Sequence, residues 1–203
     1  MSPPKTLLVI KSSLFNGSGR SSRLVDEFAR QWKESNPDGR VMCRDLAADP
    51  VPHLTAEAFA GFSAPVAERT PAQHAATVVS DALIAELQAA DEIAIGLPMY
   101  NFTIPSTFKS WMDYVARAGV TFEYTDSGPR GLLAAKPVYV FAARGGRYQG
   151  TPADTQTGLV RTFLDFIGLE DVHFTFAEGL AMGGDSAEQA FGKARQQILK
   201  LAA

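Results

Sequence analysis

Three short segments of the chain carry residue types and spacings that could do chemistry. The first runs from Ser12 to Ser22 around Asn16-Gly17-Ser18-Gly19. Backbone N–H groups of a Gly/Ser loop that opens a helix suit a phosphate dianion, and the hydroxyls of Ser13, Ser18, Ser21 and Ser22 can add hydrogen bonds. It is not a P-loop, because no Gly-Lys-Ser/Thr follows the glycines. It matches a dinucleotide fingerprint only in part, with Ser22 at the place of the third glycine and Asp45 readable as the ribose acid. A polar loop with an N-cap serine explains the same residues. The second segment, Pro98-Met99-Tyr100-Asn101-Phe102-Thr103-Ile104-Pro105, is apolar and aromatic where loops are normally polar. Bracketed by prolines, it would make a stiff apolar wall suited to a planar ring; capping the core is the plainer reading. The third, Ala143-Arg144-Gly145-Gly146, offers two successive glycine N–H groups beside a cation. That group could stabilise negative charge developing on a bound ring, or be a glycine turn with a solvated arginine.

Each of these segments leaves the end of an expected strand. Leu7 to Ile10 is a continuous apolar run, the pattern of a strand buried on both faces of a parallel sheet. Arg40 to Leu46, Glu92 to Leu97, Pro137 to Ala142 and Val172 to Phe176 read as four more strands. Between them, Leu24, Phe28 and Trp32 mark one helix face, and Val79, Leu83 and Leu87 a second. Phe108, Trp111, Met112 and Val115 mark a third, with Pro105 near its first turn; Val160, Phe163, Leu164 and Ile167 mark a fourth. A last helix is expected from Asp185, with Glu188 completing a capping box. The proline-bearing stretch from Ala47 to Pro71 reads as a surface excursion with a short helix. Val120 to Tyr124 alternates, which suggests a small hairpin around Thr125-Asp126-Ser127-Gly128. Strands alternating with helices give one doubly wound α/β domain over residues 1–203, a five-stranded parallel sheet with helices on both faces. Ligands in such sheets bind beyond the carboxyl ends of the strands, where the winding reverses.

Composition narrows the partners. With 19 Lys and Arg against 22 Asp and Glu, the net charge is −3, and no basic cluster suited to nucleic acid is present. The charge-free stretch from Ile93 to Phe108 spans 16 residues and contains two prolines, too short and too broken for a membrane span. No secretory leader is evident, so the expected location is cytoplasmic. The single cysteine, Cys43, excludes an internal disulfide and reads as a small buried hydrophobe. His53, His74 and His173 lack ligand spacing, so no metal site is expected. Asp165, Glu170 and Asp171 read as solvated charge at a helix end.

Taken together, Lys11-Ser12-Ser13, the serine-containing turn up to Ser21, Pro98-Met99-Tyr100-Asn101-Phe102 and Arg144-Gly145-Gly146 resemble the bacterial FMN-dependent NADH-azoreductases, a group of flavodoxin-like quinone reductases. The likeness continues through Asp113 to Phe122, Gly128-Pro129, Gly131-Leu132 and Phe166-Ile167-Gly168, and ends at Phe176-Ala177-Glu178-Gly179. The resemblance implies a flavodoxin-like domain holding FMN. Ser13, Gly19, Arg20 and Ser21 would hold the phosphate; Met99, Tyr100, Asn101 and Phe102 would line the isoalloxazine; Ala143, Arg144, Gly145 and Gly146 would contact its pyrimidine end. It further implies a homodimer with the site at the two-fold interface, and a lid of Phe122, Tyr124 and Phe166 over the ring. Two departures stand out: Gly19 replaces a usual serine, and Ala143 replaces a common one, each removing a hydroxyl but keeping a backbone donor.

The implied reaction is ping-pong: NADH or NADPH delivers a hydride to the flavin, leaves, and a quinone or azo compound takes two electrons in its place. No protein nucleophile is needed. Two rivals are a flavodoxin-type electron carrier, which the weak acidity and the aromatic hairpin disfavour, and a nicotinamide dehydrogenase, which the missing third glycine disfavours. Arg20, Arg23, Arg144 and Arg147 are the candidates to meet the 2′-phosphate of NADPH.

Overall fold

In the computed structural model, which describes residues 3–202, the first strand β1 (Thr6–Lys11) is buried along its apolar run. A 3₁₀ turn at Asn16–Ser18 leads into α1 (Arg20–Ser35), which buries Leu24, Phe28 and Trp32 on one face. Strand β2 (Arg40–Asp45) follows. The expected excursion contains α2 (Ala56–Ser63), where Thr55 Oγ1 accepts the Ala58 N–H, and a second 3₁₀ turn at Val66–Glu68. Helix α3 (Pro71–Ala89) starts at a full capping box between Thr70 and Gln73. Then come β3 (Glu92–Pro98), buried throughout, and α4 (Ser106–Val115). Strands β4 (Phe122–Thr125) and β5 (Gly128–Gly131) pair as the antiparallel hairpin. The chain closes with β6 (Val138–Ala143), α5 (Thr155–Phe166), β7 (Val172–Ala177) and α6 (Ser186–Leu201).

The sheet runs β2-β1-β3-β6-β7 with every neighbour parallel. From β1 the chain winds outward to β2, then returns to β3 and winds outward on the other side. The reversal therefore falls between β1 and β3, which opens a crevice at their carboxyl ends. Alternation along β1 divides the core. Leu7 and Val9 pack under α1 and α6 with Phe28, Trp32 and Ile198, while Leu8 and Ile10 pack with Leu83, Phe108, Trp111 and Leu164 of α3, α4 and α5. Helix α1 lies so close to β3 that a Cβ at Gly96 would sit 3.0 Å from the Ser21 carbonyl oxygen. The bare glycine lets the first turn of α1 rest against the sheet beside the crevice. No helix among the described residues is long and apolar enough to cross a membrane.

Two local expectations change. Asp185 is the N-cap of α6, but its side chain accepts no hydrogen bond. Its ψ of 5° departs from the extended backbone that aims a capping side chain at the first turn, so the box with Glu188 does not form. Cys43 is exposed, not buried, because β2 is an edge strand and its residues are exposed or half-buried.

Candidate active site

A cavity of about 400 Å³ opens at the reversal, between the loop after β1, the start of α1 and the ends of β3, β6 and β7. Of the residues singled out in the sequence, Ser13, Gly19, Arg20, Ser21, Met99, Tyr100, Ala143, Arg144 and Gly145 line it. The three segments meet there, as their position at strand ends requires.

At the α1 end, donors outnumber their partners. The first intrahelical bond of α1 runs from the Arg23 N–H to the Gly19 carbonyl, so the N–H groups of Arg20, Ser21 and Ser22 have no partner within the helix. The Ser21 hydroxyl is fully buried and has no hydrogen-bond partner among the described residues, and Ser21 is one of the residues that line the cavity. Ser22 Oγ is also unpartnered, but Ser22 does not line the cavity. The other two hydroxyls serve the loop: Ser18 Oγ donates to the Phe15 carbonyl at 2.7 Å, and Ser13 Oγ accepts the Phe15 N–H at 3.3 Å. Glycine at position 19 has a steric cause. A Cβ there would lie 2.6 Å from Ser13 Cβ and closer still to Ser13 Oγ, so the serine at 13 fills the space that a side chain at 19 would need. The Arg20 guanidinium donates to the Leu180 carbonyl and ties α1 to the loop after β7.

The opposite end is built on a tight turn. Tyr100 and Thr103 exchange both backbone hydrogen bonds, at 3.0 and 3.1 Å, around Asn101 and Phe102. Both central residues are left-handed, with φ of 49° and 67°, the geometry of a type I′ turn. Asparagine adopts this readily; a phenylalanine there costs about 1–2 kcal/mol. Phe102 is nevertheless 54% exposed, with its ring edge-on to Tyr148 at 5.7 Å. The Tyr100 hydroxyl reaches back across the cavity to the Leu14 N–H at 3.3 Å and to Ser13 Oγ at 3.4 Å. At the end of β6, the Gly145 and Gly146 N–H groups are bonded to no acceptor among the described residues, so they are available to a ligand.

Arg144 departs from both readings of its sequence segment. Its side chain has no exposed area and offers no free charge to a ring. Nη1 donates to Asp154 and Glu178, and Nη2 to Asp154 and Thr157, at 2.8 to 3.0 Å. Nε donates to Gln156 Oε1 at 3.2 Å, and the guanidinium lies 4.7 Å over the Phe176 ring. Burial alone would raise the Asp154 carboxyl, but hydrogen bonds from Arg144 and Thr157 outweigh it and hold Asp154 below its ordinary 3.8. Glu178 also accepts the N–H groups of Tyr148 and Gln149, each at 3.0 Å. Arg144 is thus the hub of a closed cluster behind the cavity wall.

Several candidates lie elsewhere. Asn101, Phe102 and Gly146 flank the cavity segments without lining the cavity itself. Phe122, Tyr124 and Phe166 form their own aromatic group on the hairpin and the end of α5, with Phe122 4.3 Å from Phe166 and 5.4 Å from Tyr124; none lines the cavity. Asp45 Oδ1 accepts the Ala47 and Ala48 N–H groups and closes the turn after β2, a local role in place of a ribose contact. Asp165, Glu170 and Asp171 are exposed as expected.

A family model described as a flavodoxin-like fold matches residues 5–202. The chain belongs to the flavodoxin-like family. Within it, a relative from Cellvibrio japonicus called an FMN-dependent NADH:quinone oxidoreductase is 53% identical over 95% of this chain and 96% of its own length. One of the same name from Alcanivorax borkumensis is 52% identical over 95% of this chain and 98% of its own. A crystal structure of an azoreductase from Bacillus anthracis superposes with a TM-score of 0.90 at 27% identity, covering 98% of both chains.

Against this flavodoxin-like frame, the residues missed in the sequence stand out. Phe15, Leu180 and Ala181 line the cavity. The last two follow β7, a fourth strand end at the same edge of the sheet, where the small apolar run Gly179-Leu180-Ala181-Met182 was the available signal. The cluster around Arg144 was announced only by Asp154-Thr155-Gln156-Thr157, a polar run at a helix start in which Asp154 caps the Thr157 N–H at 3.0 Å.

Proposed function

We propose that this protein is an FMN-dependent oxidoreductase that passes two electrons from NADH or NADPH to quinones and aromatic azo compounds. The observation that carries the reading is the start of α1 at the winding reversal, where Arg20 and Ser21 line the cavity with N–H groups unpaired in the helix, beside a Ser21 hydroxyl buried without a partner among the described residues. A buried unpaired hydroxyl costs free energy unless a ligand supplies its partner, and the free N–H groups of Arg20 and Ser21 suit an anion there. The opposite wall, made of Pro98, Met99, Tyr100 and Ala143, is apolar and suits a flat ring. A phosphate joined to a planar ring system fits both ends. The names of the relatives at 53% and 52% identity point the same way.

When bound, FMN supplies the redox chemistry: it accepts a hydride at N5 and returns two electrons to an acceptor. The protein contributes binding and geometry. Ser13, Gly19, Arg20 and Ser21 hold the phosphate by side chain and backbone. Met99 and Tyr100 form the ring wall, with Asn101 and Phe102 presenting backbone at its edge. The Gly145 and Gly146 N–H groups, following Ala143 and Arg144, donate to the pyrimidine end and favour negative charge there. Of the four arginines considered for a 2′-phosphate, Arg144 is taken up by Asp154 and Glu178, and Arg23 lies over the Phe191 ring away from the cavity. Arg20, which lines the cavity and bonds one neutral carbonyl, and Arg147 remain.

The proposal extends to a cytoplasmic homodimer. Phe122, Tyr124 and Phe166 line no part of their own cavity, and Tyr124 is 75% exposed, so a second copy is what would bring an aromatic lid to the ring. Anaerobic stopped-flow on FMN-loaded protein tests the chemistry. Bleaching by NADH or NADPH followed by single-step recovery with a benzoquinone is the expected result. Recovery in two separate one-electron steps would favour a flavodoxin-type carrier, and failure to bind FMN would refute the reading. Sedimentation of the loaded protein tests the dimer.

A further inference from the structure

The Asn101–Phe102 turn holds a phenylalanine in left-handed backbone, yet its neighbouring carbonyls are anchored from outside. Thr155 Oγ1 donates to the Phe102 carbonyl at 2.7 Å. Gln156 Nε2 donates to the Pro98 carbonyl at 2.8 Å and to the Thr103 carbonyl at 3.4 Å. Both donors belong to the first turn of α5. If Phe102 relaxed to negative φ, the peptide plane that follows it would rotate, and the bond to Thr155 would break. Gln156 is completely buried, and its Oε1 accepts from Arg144 Nε. Through Arg144 and Glu178 it is tied to the loop of Gly145 to Gln149. One buried amide therefore joins the two segments that meet a planar ligand.

We propose that Thr155 and Gln156 are positioning residues that hold the turn in its left-handed form and so preset the backbone presented to the flavin, an inference that rests on the flavin reading above. Backbone strain survives only where its surroundings over-determine it, and it concentrates at ligand sites. Here the surroundings are two side chains whose hydrogen bonds end on the strained segment. Neither residue lines the cavity, so their effect on a cofactor must pass through the turn.

Two near-isosteric variants test this, Gln156→Leu and Thr155→Val. Amide hydrogen exchange is followed at Tyr100 and Thr103, whose N–H groups bridge the turn, in the full chain with and without FMN. The FMN dissociation constant and flavin midpoint potential are measured alongside. Exchange at these two amides should rise at least about tenfold in Gln156→Leu and several-fold in Thr155→Val, while β1 and β3 keep wild-type protection. Oxidised and reduced flavin should lose affinity unequally, which moves the midpoint by about 30 mV for each tenfold difference. Folded variants with wild-type exchange overturn the proposal. So does faster exchange with unmoved affinity and potential, because the turn would then be held for stability alone. If Gln156→Leu does not fold, Thr155→Val decides by the same readings. If the wild-type chain binds no FMN, the functional reading fails, whereas exchange in the flavin-free chain still reports whether the turn is held.

Discussion

The α1 end of the cavity keeps a buried hydroxyl and several backbone donors without partners, whereas the wall behind Arg144 satisfies its charges with other protein groups. On the proposed reading a ligand completes the first region; the second is complete without one. Loss of one group should therefore act on binding at the first end and on folding at the second.

The sharpest break in that contrast is Arg144→Met. It leaves the half-buried Asp154 and Glu178 without their cation. Since removing one partner of a fully buried ion pair costs about 3–5 kcal/mol, the loss here should approach that figure from below. Urea denaturation should show that loss without FMN present. The same cluster has an acid limit. Because the Asp154 carboxyl is held below its ordinary 3.8, its contribution is whole above the unfolded value and is lost as the pH falls through the folded one. Unfolding free energy should drop below about pH 4, and Asp154→Asn should flatten that limb while lowering stability at neutral pH.

At the other end, Ser21→Ala should weaken FMN binding by about tenfold or more, the worth of a hydrogen bond to a charged group. The flavin-free protein should keep its thermal midpoint or gain slightly, because an unpaired buried hydroxyl is removed. Loss of stability without loss of affinity would show that the two ends do not differ as described. Gly19→Ser forces a Cβ onto Ser13 and should cost about 1–3 kcal/mol of overpacking, read as weaker FMN binding by titration. Combining it with Ser13→Gly should relieve that contact and restore the unfolding free energy, while FMN binding stays weakened by loss of the Ser13 hydroxyl. The smallest effect is expected at Phe102→Gly. Relief of the left-handed strain offsets the entropy of a glycine, so stability should stay within about 1 kcal/mol of wild type. A larger drop would mean that the exposed ring contributes packing not evident from its single edge contact with Tyr148.

The fold was legible because each buried strand and each helix face follows its own period, from Leu7 to Ile10 and from Leu24 to Trp32. The meeting of three segments at one crevice was legible too, because the strand-end rule depends only on element order. The orientation of side chains was not. Arg144 follows Ala143 at the end of a buried strand, and nothing local shows that Asp154, ten residues on, and Glu178, at the end of the next strand, take up its charge. Gly19 looked like a lost hydroxyl; its cause is contact with Ser13, a pair six apart joined by loop geometry. Cys43 looked buried because it sits in a strand, yet the edge position of that strand is a property of the whole sheet. The resemblance alone grouped Phe122, Tyr124 and Phe166 as a lid, and nothing in the sequence showed that they line no part of their own cavity.

The dryness of the Arg144 cluster also bears on the protein's response to salt. Counter-ions screen exposed pairs such as Arg30–Glu34, each side chain 58% exposed, over a Debye length of about 8 Å at physiological ionic strength. They cannot approach a guanidinium with no accessible surface. The segments anchored to it should keep their shape as the ionic medium changes, while the exposed loop at the mouth of α1 is open to it. Ionic conditions would then tune how readily the cofactor is loaded and leave the geometry of electron transfer untouched.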